Sequence, residues 1–287
     1  MEAIRSQTVH ALDAPSYDGN GRAGVIEICG LQVHAYVSLS AFLDELDAQI
    51  GKRPGLLVTF VNPGSYAASR RMASFKAHLQ AFDRVLPDGV GLSAIAARRL
   101  GSPVTRISFD STSLALPVFQ IALEKGLRVA LVGGAEGVAQ RAAMLLQERY
   151  AKLDIVLAMS GHQPKREMLN RTLMIDPDIV VCGMGGGVQE AFLLALRSEG
   201  WMGAGFTCGG YLDQLGEGVQ YYPEWVDRLE LRWLYRLCRE PRRLWRRYII
   251  DYGAFGLRVL QDGLVTRNFR GGRHVRHQGQ YRHQDAE

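Results

Sequence analysis

The sequence is poor in cysteine. Four occur in 287 residues, Cys29, Cys182, Cys208 and Cys238, far apart and without a CxxC pair. That argues against a zinc site or a disulfide framework and favours a reduced, cytosolic compartment. No run of eighteen apolar residues occurs, so no bilayer-spanning helix is expected. The opening stretch MEAIRSQTVHALDAPSYDGNGRAG lacks the apolar centre of a secretory signal. No internal repeat is evident. Glycine turns abound, yet none spells a full GxGxxG and no Walker lysine follows one. Charge of one sign is also missing overall: 34 Lys and Arg against 29 Asp and Glu leave a net charge of only +5. Its spread is uneven, because the last quarter is heavily basic. Such asymmetry points to an anionic partner, whether phosphates, lipid headgroups or nucleic acid.

What is present suffices for a sizeable core. Hydrophobic residues make up 47% of the chain, and the length fits one large α/β domain or two small ones. GVIEICGLQVHAYV reads as two strands around a turn at Cys29-Gly30. SLSAFLDELDAQI reads as a helix capped by Ser38 or Ser40. GLLVTFVN is a continuous apolar run of strand length, as in parallel sheets buried on both faces. YAASRRMASFKAHLQAF reads as one helix. RVLPDG is a short strand into a turn, and VGLSAIAARRLG a helix closed by Gly101. RVALVGGAEGVAQRAAMLLQERY and DPDIVVCGMGGGVQEAFLLAL each read as strand, glycine turn and helix, with the strand LDIVLAMSG between them. WMGAGFTCGGYLD is a further strand and glycine turn. This alternation predicts an α/β fold, a Rossmann-like, mostly parallel sheet with helices on both faces. Residues 1–23 are expected to be a mobile arm and residues 24–223 the α/β domain, the one to carry any catalytic site. Residues 224–266 should form a basic, helical C-terminal appendage, and residues 267–287 a disordered polar tail.

In open α/β sheets ligands bind beyond the carboxyl ends of the strands, where several candidates fall. Gly133 and Gly134 precede a helix whose N-terminus suits a phosphate, although a tight βα turn needs glycine anyway. GMGGGVQE places Gln189 and Glu190 in the first turn of the next helix. The amide of Gln189 can read a base or sugar, whereas Glu190 is also favoured there by the helix dipole. Asp88 sits in an Asp-Gly turn and is a candidate general base. The pair Asp176 and Asp178 has DxD spacing but precedes a strand, at the wrong edge for a metal site, and reads as turn chemistry. His162 follows a strand and is left unassigned.

Taken in order, PDGVG, LVGGAEGVA, GMGGGVQE, CGGYLD and WLYRLCREPRRLWRRY resemble the bacterial WecG/TagA/CpsF glycosyltransferases, over residues 24–248. The resemblance implies metal-independent, inverting transfer from a UDP-sugar donor to a polyprenyl-diphosphate-linked sugar at the inner face of the cytoplasmic membrane, with no cofactor. It places Asp88 on the proposed base and Asn62 on the asparagine of a Thr-x-Asn element. Gln189 and Glu190 fall on a QE pair at the nucleotide pocket. Asp213 falls on the aspartate after the next glycine turn, that of Gly209. There are departures. Phe60 stands where the threonine belongs, with Thr59 adjacent, and Gly187-Val188 replaces Pro-Lys. Tyr221-Tyr222-Pro223 replaces Arg-Ala-Pro. Arg106 matches, but Asp110 is one place off. These differences around the donor and acceptor pockets suggest a neutral hexose such as glucose, with an N-acetylhexosamine as the other possibility.

With no metal, the growing diphosphate charge would fall to Arg106, to backbone donors at Gly133 and Gly134, and to arginines of the appendage. In LRWLYRLCREPRRLWRRY, Arg232, Arg236, Arg239 and Arg243 recur at helical spacing, and Pro241 interrupts the helix. Beyond it Arg243, Arg246 and Arg247 surround Trp245. Arginine with tryptophan and tyrosine suits an anionic membrane surface, and an amphipathic helix with a solvated basic face would look the same. Two other classes of function remain. One is a nucleic-acid-binding module using the basic segment; the core shows no such motif, so no nucleic-acid partner is expected. The other is a UDP-sugar sensor without turnover. A homo-oligomer is compatible with everything above.

Overall fold

The structure is a computed structural model that describes residues 21–217, 226, 232–239 and 241–271. A six-stranded parallel sheet has the order β4-β3-β8-β7-β5-β6. Its strands are β3 (Leu57–Val61), β4 (Arg84–Pro87), β5 (Val129–Gly133), β6 (Ile155–Met159), β7 (Ile179–Gly183) and β8 (Ala204–Thr207). The chain starts this sheet at β3 and adds β4 outward. It then crosses to the other half for β5 and β6, and returns through β7 and β8 to lie beside β3. Every residue of β5 and β7 is buried, as expected for strands covered on both faces.

Alternation along the strands divides the core into two layers. Val129, Leu131, Ile179, Val181 and Phe206 pack with α1 (Leu39–Gln49), α5 (Ala115–Lys125), α6 (Val138–Arg149) and α9 (Tyr211–Glu217). Ala130, Val132, Val180 and Cys182 pack on the other side with α3 (Ala73–Gln80), α4 (Val90–Leu100), α7 (Lys165–Ile175) and α8 (Val188–Ser198). Each fully buried Leu or Phe contributes roughly 1.5–3 kcal/mol of transfer free energy. Helices α5 and α7 were not anticipated from the sequence pattern.

The hairpin β1 (Arg22–Ile28) and β2 (Leu31–Tyr36) turns at Cys29 and Gly30, both in the left-handed region at φ 52° and 80°. It covers the β4 edge: His34 Nδ1 accepts from the Val85 N–H at 3.0 Å, and the Tyr36 carbonyl from Thr105 N–H at 2.8 Å. The His34 contact takes up a donor on an otherwise open strand edge, and the Thr105 contact ties the hairpin to the loop after the helix that follows β4. Of the two caps expected for α1, Ser38 is the one that accepts from Ala41 N–H.

The stretch expected as a single helix after β3 is two. Helix α2 (Pro63–Arg71) ends at Met72, whose extended backbone (φ −121°, ψ 105°) separates it from α3. The Met72 side chain lies over Gly187, where a β-carbon would come within 2.7 Å of its sulfur. After α9 the described chain resumes as α10 (Arg232–Arg239) and α11 (Pro241–Arg246). A π-helical turn, Arg247–Asp251, leads into α12 (Tyr252–Gly271). Pro241 opens α11, where its missing N–H costs nothing. Helix α12 runs past Arg267, where the polar tail was expected to begin; residues 1–20 and 272–287 lie outside the described ones.

Candidate active site

Four turns meet at the carboxyl edge of the sheet, and the sequence explains each. After β3, Asn62 precedes Pro63 and caps α2. Its Oδ1 accepts from Gly64 N–H at 2.9 Å, and Ser65 Oγ accepts from the Asn62 N–H at 3.1 Å. Proline at the first helical position and a polar cap form a signal readable from sequence. After β4, the Asp88 N–H donates to the Val61 carbonyl at 2.8 Å, which pins the two turns together. The Asn62 amide nitrogen then lies 3.4 Å from Asp88 Oδ2.

Arg106 comes from the loop before α5. Its Nε is 3.8 Å from Asp88 Oδ1, and its Nη2 donates to Ser108 Oγ and Asp110 Oδ2. The Asp88 side chain is 33% exposed, whereas those of Arg106 and Asp110 are 19% and 17% exposed. The carboxylate that faces the cleft is therefore the accessible member of the cluster. Asp88, Asn62 and Arg106, far apart in sequence, lie together here. The one-place offset of Asp110 does not prevent it from holding Arg106.

The glycine turns have strong scaffold duties. A β-carbon on Gly133 would fall 2.3 Å from the Gly183 carbonyl oxygen. The Gly134 N–H donates to that carbonyl at 3.0 Å, and the Gly134 carbonyl accepts from Gly161 N–H and Ser160 Oγ. The amide of Gly134 is thus engaged and is not a free phosphate donor, which corrects the expectation for this residue. The N-termini of α6 and α8 still open onto this edge.

Gln189 and Glu190 lie deeper than a ligand-reading pair would. Glu190 is 1% and Gln189 6% exposed. Glu190 Oε2 accepts from Gly187 N–H at 2.5 Å, closing the first turn of α8. Its Oε1 accepts from Thr59 Oγ1 at 3.0 Å and from the Gln189 amide at 3.1 Å. Thr59 also bonds Thr207 at 2.9 Å, and Gln189 Oε1 accepts from Gly209 N–H at 3.2 Å. This buried network ties β3, β8 and the turns at Gly187 and Gly209. The polar Thr59 inside an apolar strand was the sequence signal for it. Phe60, on the opposite face, stacks edge-on against Phe109 at 6.4 Å. Asp213 is exposed in the first turn of α9, while Tyr211 is buried, its phenol pushed up to about 12 chiefly by burial. Burial likewise raises the Cys208 thiol to about 12 and pushes that of Cys182 well above its ordinary value.

The appendage docks on α2. Phe255, 5% exposed, meets Tyr66 edge-on at 5.9 Å, and Arg71 pairs with Asp251 through contacts of 3.0 and 3.3 Å. None of these residues was singled out from the sequence. Trp245, Ile249, Ile250, Leu257 and Leu260 are exposed. Arg239 lies over the Tyr235 ring at 5.5 Å, and Arg246 over that of Trp245 at 5.7 Å. The side chains of Arg232, Arg236, Arg243 and Arg247 lie outside the described residues. Among the described residues no helix is long and apolar enough to cross a membrane. Where α12 meets the hairpin tip there is an open cavity of about 910 Å³, lined in part by Arg70, Lys76 and Arg99. It is set apart from the Asp88 cluster, and its charges are partly self-paired, Arg258 with Asp262 and Arg99 with the Glu27 carbonyl.

Asp176 and Asp178 sit at the amino edge. Both carboxylates bond Arg53, and Asp178 also accepts from Arg128 N–H at 2.9 Å. Among the described residues no cluster of three His, Cys, Asp or Glu side chains is arranged to hold a metal ion. His162 is exposed after β6.

The profile of the glycosyl transferase WecG/TagA/CpsF family matches residues 26–269, most of the chain. The chain belongs to this family. Three curated relatives of the WecG/TagA/CpsF member described here are similar over most of their lengths. One is the UDP-Gal:alpha-D-GlcNAc-diphosphoundecaprenol beta-1,4-galactosyltransferase of Shigella boydii, 28% identical over 75% of this chain and 90% of its own. Another is the N-acetylglucosaminyldiphosphoundecaprenol N-acetyl-beta-D-mannosaminyltransferase of Bacillus subtilis, 26% identical over 81% and 90%. The enzyme of the same name from Bacillus spizizenii is 25% identical over 74% and 82%. As a WecG/TagA/CpsF member, the protein is a glycosyltransferase.

Proposed function

We propose that this glycosyltransferase moves a hexose, glucose or an N-acetylhexosamine-type sugar, from a UDP-sugar to a polyprenyl-diphosphate-linked sugar in cell-surface or exopolysaccharide synthesis. The transfer inverts the anomeric centre and needs no metal. The observation that carries the reading is the accessible Asp88 carboxylate between Asn62 and Arg106 at the carboxyl edge. Asp88 takes the proton of the acceptor hydroxyl. The hydroxyl oxygen attacks the anomeric carbon from the face opposite the diphosphate, and the bond from that carbon to the diphosphate oxygen breaks, releasing UDP. Arg106 and arginines of the appendage offset the negative charge that grows on the leaving group. Gln189, Glu190 and Gly209 act at the donor pocket by fixing its turns. The Shigella boydii relative's use of UDP-Gal supports the donor class, and the undecaprenyl-diphosphate-linked acceptors of that enzyme and of the Bacillus subtilis one support the acceptor class.

The membrane part of the proposal rests on the exposed apolar residues of α11, the π turn and α12. They flank a strongly basic segment, a combination that suits an anionic interface. The protein would then work as a peripheral protein on the inner face of the cytoplasmic membrane.

The test is turnover of a panel of UDP-hexoses with a polyprenyl-diphosphate-linked acceptor, with and without EDTA. Product of inverted configuration in EDTA is the expected result. Loss of activity in EDTA with rescue by magnesium would overturn the metal-free step. Binding of a UDP-sugar without turnover would make the protein a sensor instead. Asp88→Asn should lower kcat by about two orders of magnitude or more, and near-normal kcat would remove Asp88 as base.

A further inference from the structure

We infer that Asp110 is a positioning residue that acts through Arg106 to keep Asp88 basic. This rests on the reading of Asp88 as the base. Both oxygens of Asp110 are filled. Oδ2 accepts from Arg106 and from Ser108 Oγ at 2.6 Å, and Oδ1 accepts from Thr112 N–H at 2.9 Å and Thr112 Oγ1 at 2.7 Å. The Asp110-Ser111-Thr112 turn therefore locks the carboxylate in place, as short polar turns do. Ser108 is 5% exposed and donates to the same oxygen that Arg106 uses, so the anchor is shielded from solvent.

The consequence is a shared guanidinium. Arg106 lies between two carboxylates, bonded to Asp110 but held with its Nε 3.8 Å from Asp88 Oδ1. That distance is too long for a hydrogen bond, though well within ion-pair range. An arginine with Asp88 as its sole carboxylate partner would close into a short, bidentate pair. Such a pair would stabilise the ionised form of Asp88 and make it a weaker base. It would also occupy the oxygens that must meet the acceptor hydroxyl. Asp110 takes up part of the Arg106 charge and holds the guanidinium back. Asn62 places a neutral amide on the other Asp88 oxygen, which orients the carboxylate without adding a charge. The titratable group facing Asp110 from α9 is the Tyr211 phenol, linked through Ser111 Oγ at 3.5 Å. It stays neutral across the working pH range.

The experiment is a set of pH–rate profiles for the full chain, Asp110→Asn and Asp110→Glu, using UDP-hexose and the polyprenyl-diphosphate-linked acceptor. In Asp110→Asn the acid limb should move down by about one pH unit, and the plateau kcat should fall roughly threefold to thirtyfold. The donor KM should stay within about twofold, and Asp110→Glu should recover the normal limb. A folded Asp110→Asn with an unshifted limb overturns the inference. If that variant does not fold, Ser108→Ala carries the test, since it removes both an acceptor that holds Arg106 Nη2 back from Asp88 and the hydroxyl that fixes Asp110 Oδ2. A smaller downward shift then supports the role, and an unchanged limb overturns it. Failure of the underlying reading looks different: Asp88→Asn itself would keep a near-normal kcat.

Discussion

The side chain of Asn62 serves two elements at once: Oδ1 caps α2 at 2.9 Å from Gly64 N, and Nδ2 lies 3.4 Å from Asp88 Oδ2. One amide thus fixes both a helix start and the carboxylate beside it. The two duties can be separated. Asn62→Ser keeps a good cap but loses the amide donor. Its Tm should match the wild type within a few degrees while kcat falls about tenfold. Asn62→Ala should lose both, with about 1 kcal/mol of stability removed. Equal kcat for Asn62→Ser and wild type would show that the contact to Asp88 is idle.

Glu190 has a structural signature in place of a ligand-reading one. Truncation to alanine leaves the Gln189 amide and the Gly187 N–H without this acceptor and takes one of two partners from Thr59, in a position that is 1% exposed. Glu190→Ala should destabilise the fold by about 2–4 kcal/mol, and Glu190→Gln by less. Chemical denaturation measures this. If Glu190→Ala keeps wild-type stability but loses affinity for the UDP-sugar, the side chain contacts the donor directly.

Phe255 should matter more to docking of the appendage than the Arg71–Asp251 pair. It is buried against Tyr66, whereas the Arg71 side chain is 63% exposed. Exposed ion pairs contribute about 0–1 kcal/mol. Phe255→Ala should speed hydrogen exchange of α12 amides and lower activity, with little change in the core; Arg71→Ala should do so weakly. Unchanged protection of α12 in Phe255→Ala would mean that the helix is held by something else.

Alkaline pH should destabilise the protein through its buried phenol and thiols. Tyr211 is pushed up from an ordinary 10 to about 12, and Cys208 from 9 to about 12, both mainly by burial. The folded state therefore holds these protons more tightly than the unfolded chain. The stability linked to Tyr211 is fully present below pH 10 and is lost as pH rises toward 12. Tyr211→Phe should flatten the fall over that window in a series of denaturant melts. An unaltered slope would assign the effect to the thiols.

Much of the fold was legible because parallel strands buried on both faces must be apolar throughout, and glycine turns punctuate them. The strands at β3, β5, β7 and β8 followed from that. The sequence pattern runs α2 into α3 without interruption, since nothing local marks Met72 as a break. Its side chain packs over Gly187, more than a hundred residues later in the chain, a contact no local pattern contains. The candidate site was legible in part for the same reason. Asp88 and Asn62 lie in turns with their own local signals, Asp-Gly and Asn-Pro.

Sequence by itself determined the α/β alternation, the basic appendage and the set of turns at the carboxyl edge, because these depend on periodicity and on local backbone chemistry. Tertiary structure decided which polar groups remain available. It placed Gln189 and Glu190 inside the scaffold, engaged the Gly134 amide, and divided Arg106 between Asp88 and Asp110. Burial and hydrogen-bond partnership are properties of neighbours in space, and a list of residues does not contain them.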